Sequence, residues 1–315
     1  MAIKPIITLT LNPTIDGSAS ADLIQPLRKI RTSDEHYHPG GGGINVARVI
    51  EELGGTAHAL YLAGGATGAI LDDLLRSTGI AAQRIAIKGY TRIAHTVFER
   101  SSGQEFRFVP EGPQVSAAEW DSCLSALATI DFDYVVASGS LPRGLSACAY
   151  TRVVEIAERK KARVILDTSG SALRQTLDKG VYLIKPNLRE LEELSGHALP
   201  STAEQVSAAR SLIAVNAARI VALTLGSDGA LLVSKDQAWS AEVPPVVARS
   251  AVGAGDSFVG GVTLALARGE PLLAALASGV AAGTAAVLSP GAQLSRREDV
   301  ERLYAELLPS IAKIG

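Results

Sequence analysis

The chain has 315 residues, 47% of them hydrophobic and 20% charged, with a formal net charge of −2. That balance suits a folded protein with an ample core and offers no basic surface for nucleic acid or an anionic membrane. Aromatic residues, at 4%, are too few for a base-stacking platform.

The start, Met1–Pro5, runs straight into an apolar segment, Ile6–Leu11, without a signal-peptide pattern, which predicts a cytoplasmic protein. Residues 15–38 are polar and lack a helical period. Within them Asp16 reads as a loop carboxylate, and Arg28-Lys29-x-Arg31 as an exposed basic cluster or, with Arg92, a holder of a sugar phosphate. Gly40–Gly43 then precede a helical pattern over Ile44–Leu53. Four glycines in a row cost conformational entropy on ordering. They fit a backbone lying against a polyol, with Asn45 in the first helical turn; a flexible hinge is the competing reading.

A strand over Ala57–Leu62 and a helix over Ala69–Ser77 follow. Residues 92–110 read as a hairpin: Ala94–Arg100, a turn at Ser101–Gly103, then Gln104–Val109 with Phe106 and Phe108 on one face. With parts of 15–38 it predicts a small sheet standing off the main one as a lid, its apolar face covered by substrate, the main domain or a second subunit. The helix Ala117–Ile130 opens on a capping box, Ser116-x-x-Glu119. The strand Tyr134–Ala137 closes on Gly139-Ser140-Leu141-Pro142, where open α/β sheets place ligands. Cys123 and Cys148 fall in amphipathic helical patterns and are expected as core thiols in a reducing compartment.

After a helix over Tyr150–Lys160, strands at Val164–Leu166 and Tyr182–Ile184 lead to Lys185-Pro186-Asn187-x-x-Glu190 and a helix over Leu188–Ser195. Asn187 with Glu190 is itself a capping box, and is equally a pair that could lie near magnesium–triphosphate through metal-bound water. A helix over Ala203–Val215 and a strand over Ile220–Leu225 precede Thr224-Leu225-Gly226-Ser227-Asp228-Gly229, which is either a turn needing positive φ at glycine or a cradle for nucleotide phosphates.

Ala251-Val252-Gly253-Ala254-Gly255-Asp256-Ser257-Phe258 is the most informative segment. A helix start presents unpaired N–H groups and attracts phosphate. A carboxylate there repels phosphate but could take the proton of an attacking hydroxyl; alternatively Asp256 only caps the helix. The alanine-rich run from Ala274 to Leu288 reads as a buried helix. The chain has no P-loop motif, its five histidines lack metal-ligand spacing, and Gly253-x-Gly255 lacks the third glycine of a dinucleotide fingerprint. Apolar strands alternating with helices predict an α/β fold with a parallel sheet covered on both faces.

In order and spacing over essentially the whole chain, Gly40–Arg48, Gly139–Pro142, Lys185–Glu190, Thr224–Gly229 and Val252–Ser257 resemble the ribokinase-like (PfkB) carbohydrate kinases. The opening Thr8–Asp16 is similar to the phosphosugar kinase branch. The resemblance implies a single domain over 1–315, a three-layer α/β/α fold with a mostly parallel central sheet and a small β-sheet lid. It implies ATP-dependent phosphorylation of a ketohexose phosphate, foremost fructose 6-phosphate at its 1-hydroxyl, because relatives acting on other phosphosugars often have lysine where Gly42 stands. Activity on fructose 1-phosphate or tagatose 6-phosphate is the alternative within enzymes. A non-catalytic sugar-phosphate sensor is the alternative outside them, and Asp256 argues against it.

The same resemblance implies the roles. Asp256 is the base, with the N–H groups of Gly253, Ala254 and Gly255 as anion hole. Asp16, Gly41, Gly42 and Asn45 hold the sugar, and Lys29, Arg31, Arg92 and Ser140 surround its phosphate. Lys185, Asn187, Thr224, Leu225, Gly226, Ser227, Asp228 and Gly229 line the nucleotide, and Glu190 with Asn187 helps place Mg²⁺. Potassium is implied beside the anion hole, through backbone near Ser250 and Val252 and the loop near Gly291, although Ser289-Pro290 stands where related chains carry an amide side chain first. A homodimer through the lid is implied too. An aspartate at a helix N-terminus is expected to have a low pKa.

Overall fold

The computed structural model describes residues 4–289, 291 and 293–314. Pro290, and with it half of the Ser289-Pro290 pair, lies outside them. The apolar runs form strands buried on both sides: β1 (Ile6–Thr10), β4 (Ala57–Gly64), β8 (Tyr134–Ser138), β9 (Arg163–Asp167), β10 (Val181–Ile184) and β11 (Ala218–Thr224). With β5 (Ala81–Ile87) they pair in parallel. Three antiparallel strands, β12 (Ala230–Val233), β13 (Ala238–Ala241) and β14 (Ala312–Lys313), extend one edge. The order is β14-β13-β12-β11-β10-β9-β8-β1-β4-β5.

Helices cover both faces, as uniformly apolar strands require. On one side lie α1 (Gly42–Glu52), α8 (Ala254–Ala267), α9 (Leu272–Leu288) and α10 (Arg297–Leu307), joined through Val49, Phe258, Leu276 and Leu303. On the other lie α3 (Ala117–Thr129), α4 (Ala149–Lys160), α5 (Gly170–Leu177), α6 (Leu188–Ser195) and α7 (Thr202–Ala214), joined through Trp120, Tyr150, Leu191 and Val206. The run of small residues in α8 is a packing device. A Cβ on Gly260 would come within 2.8 Å of Val49, and one on Gly261 would strike the Ser278 carbonyl, so α8 lies unusually close to α1 and α9.

A second sheet, β3-β2-β6-β7, stands apart. It consists of β2 (Thr14–Ala21), β3 (Ser33–Gly40), β6 (Arg92–Glu99) and β7 (Gln104–Phe108), the two segments from which a small sheet is expected. Asp16 therefore sits in a strand, not a loop. Strand alternation divides its residues between two faces. Asp16, Ser18, His36, His38 and Thr96 share one face; Ile15, Tyr37, His95, Val97 and Phe108 share the other. Ile15 and Ile93 pack with Ile44, Tyr61 and Leu71 of the main body, in part on α2 (Gly65–Thr78), and anchor the sheet at one end. Beyond that anchor Tyr37 and Phe108 are exposed.

One expectation about the core fails. Cys123 is buried, but Cys148 is exposed at the N-terminus of α4, where its thiol contacts Gln175 Oε1 at 2.7 Å. The helical phase places position 148 just before the buried face that begins at Ala149. Among the described residues no helix is long and apolar enough to cross a membrane.

Candidate functional site

The chain leaves β1 toward β4 on one side and later returns to β8 on the other, so the order reverses between β1 and β8. The carboxyl ends of strands at such a reversal open a crevice. Gly40–Gly43 enter it, and the start of α1 is not where the spacing predicts. Gly42 and Gly43 already form its first turn, with Gly41 as cap at φ 106°. Protein atoms crowd all four positions: a Cβ would strike Asp16 at Gly40, Thr10 at Gly41, Ser138 at Gly42, and Thr10 with the Leu9 carbonyl at Gly43. The quartet thus serves close packing of α1 on β1 and β8, a reason the sequence alone does not reveal.

That packing drops Asn45 into the crevice opposite the start of α8. Asn45 Nδ2 donates to Asp256 Oδ2 at 2.8 Å. Asp256 lies in the first turn of α8, where Gly253 caps the helix at φ 75°. The backbone N–H groups of Gly253, Gly255 and Asp256 have no backbone partner among the described residues, and Ala254 N has only a long 3.5 Å contact to Ala251 O. Unpaired amides at a helix start form an anion-binding concavity.

Opposite them, the Lys185 ammonium pairs with Asp167 Oδ1 at 3.1 Å, with side chains only 9% and 16% exposed. Burial alone would lower the Lys185 pKa, but Asp167, Glu190 and Asp256 around it hold it above the usual lysine value. Asp256 contradicts its expected low pKa, being pushed up to about 7. Burial is the main cause and the Asp167 charge adds to it; together they outweigh Asn45 and Lys185. Asp16 is raised by burial as well, against the pull of Arg48, Arg92 and Arg107.

The remaining candidates divide. Arg92 Nη2 donates to Asn12 O at 2.8 Å, and Asn12 Nδ2 donates to Ser140 Oγ at 3.2 Å, so Arg92 and Ser140 meet on one residue. They share a cavity of about 520 Å³ with Glu111, Arg143 and Thr168. Lys29 and Arg31 do not join them within one chain; both are exposed on the β2–β3 connection and form no ion pair among the described residues. Asn187 and Glu190 form the capping box: Asn187 Oδ1 accepts from Glu190 N, and Glu190 Oε2 accepts from Asn187 N, each at 2.9 Å. The second Glu190 oxygen has no partner among the described residues, and burial raises this group's pKa.

Thr224–Gly229 form a turn around a short 3-10 segment, Gly226–Asp228, with Gly226 and Gly229 both at positive φ. Thr224, Gly226, Ser227 and Gly229 edge an apolar cleft of about 470 Å³ that runs to Ala254 and Gly255 and is walled by Phe258, Val280 and Val287. Such a cleft fits a flat base at one end and phosphates at the amides of α8. Three residues escaped the sequence reading: Asn12, Arg48 and Asp167. Asp167 left one signal, a carboxylate closing an otherwise apolar strand at the ligand-bearing edge.

The pfkB family carbohydrate kinase description matches residues 10–299. The ATP-dependent 6-phosphofructokinase isozyme 2 of Mycobacterium tuberculosis (strain CDC 1551 / Oshkosh) is 43% identical over 315 residues, 99% of this chain and 92% of that protein. Two solved structures of phosphofructokinase-2 from Escherichia coli share the fold at 37% identity. The one in complex with fructose-6-phosphate has a TM-score of 0.91 over 96% of this chain and 99% of its own. The one in complex with potassium has a TM-score of 0.93 over 97% and 99%.

Proposed function

The chain belongs to the pfkB family of carbohydrate kinases, and from that premise we propose that it uses ATP to phosphorylate fructose 6-phosphate at the 1-hydroxyl. It is a phosphotransferase acting on a sugar hydroxyl, and its substrate is a phosphosugar. The choice of fructose 6-phosphate is supported by the names of its relatives and by Gly42, whose contact with Ser138 leaves no room there for a side chain reaching the sugar.

The observation that carries the mechanism is the meeting of Asp256, Asn45 and the unpaired amides at one crevice. Asp256 accepts the hydroxyl proton as the sugar oxygen forms its bond to the γ-phosphorus and the bond to the ADP oxygen breaks. Raised by burial and by the Asp167 charge, it is a stronger base than an ordinary carboxylate. Phosphoryl transfer has a loose transition state, so the proton leaves late and positioning with charge stabilisation dominates. The amides of Gly253–Asp256 take the charge on the transferring group, and Lys185 faces the phosphates beside them.

Glu190, with Asn187, is the place for Mg²⁺. The Glu190 oxygen left free by the capping box, close enough to Lys185 for the two charges to act on each other, suits an ion that keeps its waters and leans on substrate phosphates. A metal held there would neutralise phosphate charge. Potassium, which a solved relative binds, would be held here by backbone near Ser250, Val252 and Gly291. We further propose a homodimer through the small sheet, in which Lys29 and Arg31 complete the partner's phosphate site. In support, Tyr37, His95 and Phe108 align in one row on its outer face, with Tyr37 and Phe108 about half exposed, at 50% and 55%.

ADP release measured with fructose 6-phosphate, fructose 1-phosphate and tagatose 6-phosphate side by side tests the assignment. The expected result is the highest kcat/KM for fructose 6-phosphate. A lead for another sugar overturns the substrate and keeps the kinase; silence on all three overturns both.

A further inference from the structure

One guanidinium beside the crevice has no task in that mechanism. Arg48 lies one helical turn after Asn45 on α1, so their side chains meet on one helix face. Its Nη1 donates to Asn45 Oδ1 at 3.3 Å and to Pro39 O at 3.1 Å. Asn45 in turn donates through Nδ2 to Asp256 Oδ2 at 2.8 Å. Arg48, Asn45 and Asp256 therefore form a chain of two hydrogen bonds ending at the base.

The chain has a direction. A side-chain amide has one accepting and one donating end. Turned over, Asn45 would point its oxygen at the Asp256 carboxylate and its NH₂ at the guanidinium, making both contacts repulsive. Only the observed orientation satisfies both neighbours, and Arg48 is the donor at its far end. Arg48 is half-buried, and the charges of Asp16 and Asp256 both act on it.

We infer that Arg48 is a positioning residue: it locks the Asn45 amide, which holds one oxygen of Asp256 and leaves the other turned to the substrate hydroxyl. Asp256 Oδ1 accepts no hydrogen bond among the described residues, as a base awaiting a proton requires. The inference rests on the reading of Asp256 as the base. Arg48 also ties Pro39, just before the glycine quartet, to α1, and that contact alone would be structural. The two roles separate because only the first passes through Asn45.

The test is a double-mutant cycle in steady-state kinetics with ATP and fructose 6-phosphate, using Arg48→Met, Asn45→Ala and the pair, with Asp256→Asn as control. Arg48→Met is expected to lower kcat about tenfold or more while KM for ATP stays within about twofold. Arg48→Lys should recover part of that loss, since an ammonium can still donate to Asn45 Oδ1. In the Asn45→Ala background the Arg48→Met effect on kcat should shrink below about threefold, because no amide remains to orient. An equal loss in both backgrounds, or an unchanged kcat in Arg48→Met, overturns the inference. If Arg48→Met does not fold, by thermal unfolding, the same cycle is run with Arg48→Ala, which also removes the donor, and judged by the same coupling. Near-normal turnover in Asp256→Asn would instead overturn the reading of the base.

Discussion

The two sheets of this protein carry different parts of the site in different ways. The ten-stranded sheet places Asp256, Asn45, Asp167 and Lys185 on elements packed through two large cores, and each partner lies in the same chain. The four-stranded sheet offers Asp16 at its anchored end, while Lys29 and Arg31 lie exposed beyond Tyr37 and Phe108. A group that must hold a charge or a proton in a fixed place is built where burial is deep. A group that recognises substrate can stand on a peripheral sheet whose outer face a second copy would cover.

That contrast can be broken most directly at Asp256. Asp256→Asn is expected to lower kcat by at least about 10²-fold with thermal stability retained, as read by coupled ADP release and calorimetry. Lys185→Met should come next, because it leaves Asp167 unpaired in a buried place. A loss of about 3–5 kcal/mol in chemical denaturation is expected, with a raised KM for ATP. Adding Asp167→Asn should restore much of the stability and none of the nucleotide affinity. On the peripheral side, Phe108→Glu should shift sedimentation from dimer to monomer at micromolar protein and raise KM for the sugar phosphate about tenfold, about 1.4 kcal/mol of binding, with KM for ATP little changed. Equal losses for both substrates would erase the division between core and edge.

The smallest effect is in pH. Since Asp256 must be ionised to act, kcat/KM for the sugar phosphate should rise with pH and level off above about 7. Stability should move the other way. Between the ordinary aspartate value of 3.8 and about 7 the native state holds a proton that the unfolded chain has released. This group's contribution is therefore complete below that window and declines as pH rises through it. Asp256→Asn should remove that decline; an unchanged stability–pH profile would mean that Asp256 is ionised in the fold. Asp16 and Glu190, raised in the same direction, flatten the contrast without reversing it.

Much of the main sheet is legible in the sequence because its strands are apolar throughout and its helices announce their starts. The capping boxes at Ser116 and Asn187 both form, and a third, Ser201 with Glu204, opens α7. What escaped is mostly short or peripheral, although α10, eleven residues with Leu303 in the core, escaped as well. β5 exposes most of its residues and lacks a continuous apolar run, and α5 spans only eight residues. Cys148 fell one position outside the buried face of its helix. Asn12 and Asp167 act through partners distant in sequence, and Arg48, although its own contacts are local, reaches the base only through the long-range Asn45–Asp256 bond.

The sequence by itself determined the alternation of buried strands and helices and the placing of glycines and an acid at the start of α8, because periodicity and capping are local properties of the chain. It also carried the resemblance to the family, in motifs that keep their order along the chain. Only the tertiary structure decided the state of Asp256. A helix dipole is local and favours the charged form, but the burial and the Asp167 charge that overcome it come from elements remote in sequence. The glycine quartet belongs to the same class, since Asp16, Thr10 and Ser138, which leave it no side chains, meet it only when the sheets assemble.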